Sequence, residues 1–167
     1  MPKITLSTPL GALSVITHMG MLVYCNWVSP DCIKKEEKFR ELDSAPIRPR
    51  IIEVLTEQLA QYFHGERKGF DIPYRLYGTD FQKRVWENLR KIPYGQTVTY
   101  SQLARMIGNP LAYRAVARAC GANPLALILP CHRVVASSGK LGGYTGGIDK
   151  KESLLCLESY YCPLISP

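Results

Sequence analysis

The stretch Ile128-Leu129-Pro130-Cys131-His132-Arg133-Val134-Val135 gathers the reactive side chains of this sequence. A cysteine between a proline and a histidine offers a sulfur nucleophile with a base beside it in the chain. Only the thiolate attacks, and a thiol with a pKa of ~8.5 is a few per cent ionised at neutral pH, so a nucleophilic role needs that base. Pro130 fixes its own φ and has no N–H, so the apolar run from Ala126 to Leu129 reads as a short buried strand or extended segment that stops at the cysteine. On an extended backbone Cys131 and His132 point to opposite sides, and activation has to pass through a turn or an intervening water. The same residues allow two quieter readings. One is a buried structural thiol, and the other is half of a metal site.

The elements around the motif follow from capping and periodicity. The pattern breaks between Pro73 and Gly78, which divides the chain into an N-terminal domain, 1–77, and a C-terminal domain, 78–167. Thr79-x-x-Gln82 is a capping box that opens a helix with Phe81, Val85, Trp86 and Leu89 on its buried face, ended by Pro93. After a turn at Tyr94-Gly95-Gln96, a second box, Thr99-x-x-Gln102, opens a short helix carrying Leu103, Met106 and Ile107 and closed by Gly108-Asn109-Pro110. The next helix, Leu111 to Gly121, has Ala112, Ala115 and Ala119 at i, i+3 and i+7, and Arg114 and Arg118 at i, i+4. Two short helices joined by Gly-Asn-Pro read as a helix-turn-helix. Its alanine face suits either close approach to a sugar-phosphate wall or packing on another helix. Ser137 to Gly147 is Gly- and Ser-rich with one aromatic, as a loop covering a pocket would be. Asp149 is expected to cap a last helix containing Leu154, Leu155 and Glu158, and the tail from Tyr160 is expected to fray.

The first 77 residues carry less chemistry. Ile4 to Ser7, Leu13 to Thr17 and Met21 to Trp27 alternate around turns at Pro9-Leu10-Gly11 and Gly20, as a small antiparallel meander does. Lys34 to Asp43 reads as a solvated loop or helix face, followed by chain breaks at Pro46 and Pro49. Arg50 to His64 places Ile51, Ile52, Leu55, Leu59, Tyr62 and Phe63 on one helical face, with Gly65 as its stop. The fold class expected is α+β: a small antiparallel sheet plus helix in the first domain, then a mostly helical, winged helix-turn-helix-like second domain.

Composition bounds the function. A chain of 167 residues, 46% apolar, buries a core, and the start of the sequence reads as a strand rather than a signal peptide. No stretch reaches the ~20 apolar residues of a membrane span. An intracellular protein is expected, cytoplasmic or, in a eukaryote, nuclear. The six cysteines form no CxxC pair or Cys/His cluster, so reduced thiols are expected and neither a disulfide framework nor a metal site is. The net charge of +7 is lopsided: residues 1–77 carry 10 Lys/Arg against 9 Asp/Glu, and residues 78–167 carry 11 against 5. A polyanion would bind the second half, unless the charge merely solubilises it.

Taken together, Asn109-Pro110, Asn123-Pro124, Pro130-Cys131-His132-Arg133-Val134, Ser137-Ser138-Gly139 and Tyr144-Thr145-Gly146-Gly147 resemble the O6-alkylguanine-DNA alkyltransferases. The resemblance covers residues 79 to 158 and is weak before residue 77. It implies direct-reversal DNA repair: irreversible, single-turnover transfer of an alkyl group from guanine O6 to Cys131, with activity on O4-alkylthymine left open by the sequence. It implies double-stranded DNA as partner, approached from the minor groove with the damaged base flipped out, a monomer, and no cofactor or metal. By the same resemblance His132 takes the thiol proton through a water, Glu158 orients the imidazole, and Asn123 braces the turns around Cys131. Tyr100 protonates guanine N3, and Arg114 is the finger that enters the stack, with Ala115 and Arg118 beside it on the DNA. Pro130, Val134, Tyr144, Thr145 and Gly146 line the pocket, with backbone groups of Cys131, Val134 and Thr145 on the guanine edge and Tyr144 over the base.

Three rivals remain on the residues. A cysteine hydrolase lacks an oxyanion-hole signature and leaves the helix-turn-helix unexplained. A non-catalytic binder of alkylated DNA has no need of Cys131. A helix-turn-helix regulator needs an effector or dimerisation region that the sequence does not offer.

Overall fold

The computed structural model describes residues 4–42 and 49–162. The chain forms two compact units, 1–77 with 124–126, and 78–123 with 127–167.

In the first unit, β1 (Ile4–Thr8), β2 (Gly11–His18) and β3 (Met21–Trp27) form an antiparallel meander in the order β1-β2-β3. The β2–β3 hairpin turns on Met19 and Gly20, both at positive φ (52° and 77°), as a two-residue turn compatible with strand twist demands. Leu13, Val15, Val23, Cys25 and Trp27 fill the core. α1 (Pro30–Arg40) lies where a solvated loop or helix face was expected from Lys34 on. It is a true helix that starts earlier, because the Ser29 side chain accepts from Cys32 N and Pro30 fits the first turn. It also buries Glu36, which accepts from Ser14 Oγ at 2.9 Å. α2 (Pro49–Phe63) buries Ile51, Leu55, Leu59, Tyr62 and Phe63, and Gly65 closes it as expected, with Glu66 N donating to Gln61 O. The expected break at Pro46 lies outside the described residues. Pro124–Ala126 adds to the edge of β3: Cys25 N donates to Pro124 O at 2.9 Å and Ala126 N to Cys25 O at 2.7 Å.

In the second unit, both capping boxes form, opening α3 (Asp80–Leu89) and α4 (Tyr100–Met106). α5 (Tyr113–Gly121) begins two residues later than its apolar pattern suggests, because Ala112 N is taken by Asn109 O in the preceding turn. Trp86 Nε1 donates to Ala119 O at 2.7 Å and ties α3 to α5. Val85, Trp86, Leu89, Leu103, Val116 and Leu154 build the core. Of the apolar residues that the sequence places on α4, Leu103 is buried, as is Ile107 just after it, whereas Met106 is 40% exposed. The wing is minimal: β4 (Val98–Thr99) pairs in parallel with β5 (Val134–Val135). α6 (Ile148–Tyr161) starts from Gly147, so Asp149 stands inside its first turn rather than at the cap. It also runs past Tyr160, where fraying was expected; residues 163–167 lie outside the described residues.

Candidate active site

Cys131 is not delivered by a strand. Residues 126–128 form a buried turn with Leu127 at φ 70°, and Pro130 follows at φ −78°, ψ 67°. Those angles make an inverse γ-turn, closed by Cys131 N donating to Leu129 O at 2.8 Å. The chain then winds into a single 3₁₀ turn, Cys131–Arg133. The sequence alone predicts extended backbone on both sides of the proline. The turn wins because the carbonyls it frees have partners: Leu129 O also accepts from Asn123 Nδ2 at 2.8 Å, and Pro130 O accepts from Arg133 N at 3.0 Å.

Asn123 Nδ2 also stands 3.2 Å from Cys131 Sγ, with the amide N–H directed at the sulfur as donor. One side chain thus braces the turn and contacts the sulfur, and Cys131 is 9% exposed, at the limit of burial.

Three charged or polar side chains lie beneath the sulfur's turn and are all buried: His132, Arg133 and Glu158. His132 Nε2 is 2.7 Å from Glu158 Oε1. Arg133 straddles the same carboxylate, with Nε 2.9 Å from Oε2 and Nη2 2.9 Å from Oε1, while Nη1 donates to Ile92 O at 2.7 Å. Gly95 N adds a donor to Oε2 at 3.2 Å. Burial alone would raise the Glu158 carboxyl. The hydrogen bonds and charge of its neighbours, His132 and Arg133, outweigh burial and hold it at about 2. Burial pushes the His132 imidazole below its ordinary value, with Glu158 opposing and Arg133 and Lys151 assisting. The two shifts treat His132 differently, since a charged imidazole helps to lower Glu158 while burial disfavours that charge; with His132 neutral, the hydrogen bonds and the Arg133 charge keep the carboxylate ionised. An ionised carboxylate only accepts, so Nε2 carries the imidazole proton and Nδ1 is the basic nitrogen. Nδ1 is buried and has no hydrogen-bond partner in the structure.

The opposite wall comes from α4, α6 and the loop. Tyr100, first residue of α4, is half-buried, and burial with the nearby Cys120 and Cys131 pushes its hydroxyl up to about 12, so it is held protonated. Lys151 is buried against it, its Nζ 5.9 Å above the Tyr100 ring and donating to Val134 O at 2.6 Å and Gly143 O at 3.3 Å. Burial lowers the Lys151 ammonium, and the thiols of Cys131 and Cys120 oppose that shift. Thr145 Oγ1 donates to Gly121 O at 3.0 Å, fastening the loop to the end of α5. Tyr144 is half-buried and Gly146 buried in the same loop.

The structure therefore gathers Cys131, His132, Asn123, Glu158 and Tyr100. Arg114 and Arg118 stand apart from them, on the exposed face of α5, with Ala115 half-buried between; Ala119 faces the core. From residue 88 to residue 148 the chain has no Asp or Glu against seven Lys/Arg, and only Arg133 of those seven is buried. Neither Arg133 nor Lys151 stands out as a site residue in the sequence. The signal for Lys151 was present, since it shares one face of α6 with Leu154 and Glu158 at i, i+3 and i+7. Among the described residues no three His, Cys, Asp or Glu side chains cluster to hold a metal, and none of the six cysteines is in a disulfide.

Comparison with known proteins identifies the family. The family described as 6-O-methylguanine DNA methyltransferase, DNA binding domain, matches residues 80–160. Among curated proteins, methylated-DNA–protein-cysteine methyltransferases of Mycolicibacterium paratuberculosis and Methanosarcina acetivorans are 42% and 43% identical. The first alignment covers 95% of this chain and 93% of the relative, the second 90% and 94%. The crystal structure of Mycobacterium tuberculosis OGT in complex with DNA superposes with a TM-score of 0.80 at 40% identity, over 96% of this chain and 94% of that one. Identity of this degree over nearly the whole length of its relatives means that the chain belongs to the methylated-DNA–protein-cysteine methyltransferase family.

Proposed function

We propose that the protein repairs DNA by direct reversal, taking the alkyl group of O6-alkylguanine onto Cys131 Sγ in one irreversible transfer. The observation that carries this reading is the near-buried sulfur of Cys131 above the His132–Glu158–Arg133 network. Residues 78–167 carry the chemistry, and residues 1–77 form a supporting domain. A monomer acting on DNA inside the cell meets these requirements, and no helix among the described residues is long and apolar enough to cross a membrane.

The lesion lies inside the duplex, so the base must leave the stack, at a cost of a few kcal/mol. Exposed Arg114 enters the gap from the minor groove, while Ala115 and Arg118 meet the sugar-phosphate wall. The flipped guanine is held by Val134, Tyr144, Thr145 and Gly146, with Pro130 behind the sulfur. Cys131 passes its proton through a water to the bare Nδ1 of His132. The resulting imidazolium is stabilised by Glu158, whose charge Arg133 otherwise balances, so thiolate and imidazolium form together with no net change in charge. The thiolate attacks the alkyl carbon, the C–O6 bond breaks, and its electron pair passes into the guanine. Tyr100, still protonated at neutral pH, supplies the proton that N3 takes up.

Intact-protein mass after incubation with O6-methylguanine duplex tests this. One added methylene per chain is expected, mapped by peptide mass to Cys131, and lost in Cys131→Ser with DNA binding retained. Label on Cys120 or Cys156, or no label on wild type, would overturn the assignment.

A further inference from the structure

The tip of the helix-turn-helix carries side chains that a charge-only interface does not require. Leu111, in the turn, is 89% exposed, and Tyr113, first residue of α5, is 43% exposed. The Arg114 guanidinium lies over the Tyr113 ring, 5.5 Å from its centroid. Exposed Arg105 and Arg118 flank the tip, which falls in the acid-free stretch noted above. Leu111 and Tyr113 thus expose two large side chains two residues apart beside an exposed arginine. A basic rim with an apolar point fits a nucleic-acid groove, where apolar side chains wedge into base steps.

A long side chain that must enter a base stack faces an entropic obstacle. An exposed arginine samples many rotamers, and most of them point away from the duplex. A ring beneath the guanidinium removes part of that freedom before DNA arrives, because the cation is drawn to the ring face. Among the described residues the contact seen for the Arg114 guanidinium is the Tyr113 ring, which gives the side chain a direction in the structure.

We infer that Tyr113 is a positioning residue for flipping: it holds Arg114 in the stack-entering rotamer and presents, with Leu111, the apolar edge of the wedge to the minor groove. This rests on the DNA-repair reading above. The ring acts through its face rather than its hydroxyl, so phenylalanine keeps the function and leucine, of similar bulk, does not.

The test compares single-turnover transfer from an O6-methylguanine duplex with transfer from the free base O6-benzylguanine, which needs no flipping. The duplex-to-free-base rate ratio is expected to fall about two- to five-fold in Tyr113→Leu, the size of a solvent-exposed cation–ring contact, and to stay within about 1.5-fold of wild type in Tyr113→Phe on the same ground. In an Arg114→Ala background, Tyr113→Leu should lower the ratio less than it does alone, since part of its effect passes through the arginine. A wild-type ratio in Tyr113→Leu overturns the inference, and so does an equal loss in Phe and Leu. Full additivity with Arg114→Ala overturns the positioning role. Failure of wild-type protein to repair the duplex while reacting with the free base would instead overturn the DNA-repair reading.

Discussion

His132 Nε2 donates to Glu158 Oε1 across 2.7 Å, and both side chains are cut off from solvent, one in the turn after Cys131 and the other on α6. Both groups titrate below their ordinary values, for opposite reasons: burial depresses the imidazole, whereas the carboxyl is depressed by hydrogen bonds and charge against the pull of burial. The unfolded chain binds protons that the folded one refuses, so stability rises with pH. For His132 the contribution is complete above the ordinary value of 6.5 and is lost as pH falls below it. For Glu158 it is complete above about 4.5 and is lost toward about 2. Thermal melts should therefore show Tm falling as pH drops from 7 to 4. His132→Gln should remove the earlier part of that fall. A Tm that is flat from pH 7 to 5 in wild type would contradict the buried neutral imidazole.

Removing one partner of the carboxylate cluster separates stability from chemistry. Glu158→Gln leaves the buried Arg133 guanidinium without its counter-charge, a change that costs about 3–5 kcal/mol. Denaturant unfolding would measure it. The same substitution and His132→Ala should slow transfer to O6-benzylguanine near neutral pH, with part of the rate recovered in alkali, where Cys131 ionises without a base. Both variants retaining the wild-type pH–rate profile would remove the relay.

How far this was legible in the sequence depends on range. The capping boxes at Thr79 and Thr99 were readable because every atom involved lies within four residues, and both formed. The meander was readable because alternation reports directly on a one-sided sheet. Residues 126–129 were misread, since four apolar residues before a proline fit a strand as well as a buried turn, and only long-range partners such as Asn123 decide. The pairing of Pro124–Ala126 with Cys25, about 100 residues away, leaves no local trace. The burial of Arg133 and Lys151 is hard to read from sequence because a lone cation is ordinarily solvated. Each is buried here only because the fold supplies carbonyls or a carboxylate to it.

Gly142 tests how tightly the loop is set against Tyr100. Its φ is +75°, and a Cβ there would lie 2.9 Å from the Tyr100 hydroxyl. Gly142→Ala has to strain the backbone by about 1–2 kcal/mol and also displace the Tyr100 hydroxyl or the loop. Transfer should slow by at least about tenfold, the rate equivalent of about 1.4 kcal/mol. Gly143→Ala, with open space around its Cβ and no positive φ, should be close to wild type. Equal rates for the two variants would show that the loop does not hold Tyr100.

The final expectation concerns turnover. Attack on the alkyl carbon leaves Cys131 as a thioether, and to regenerate the enzyme that carbon would have to be taken up by a second nucleophile with a thiolate as leaving group. A hydrolase escapes this because its thioester has a carbonyl to which water adds, and a thioether offers none. The groups around the sulfur do not supply a substitute: Asn123 donates an N–H to it, Tyr100 is held protonated, and a basic His132 Nδ1 can take a proton but does not make a thiolate a good leaving group from an unactivated carbon. Repair of excess O6-methylguanine duplex should therefore plateau at one lesion per active chain, whatever the time or temperature allowed. Quenched-flow time courses at several protein-to-lesion ratios would measure the plateau, and its height should scale with protein and not with lesion. Repair continuing well past one equivalent would mean that the sulfur is released, and the single-transfer mechanism would fall.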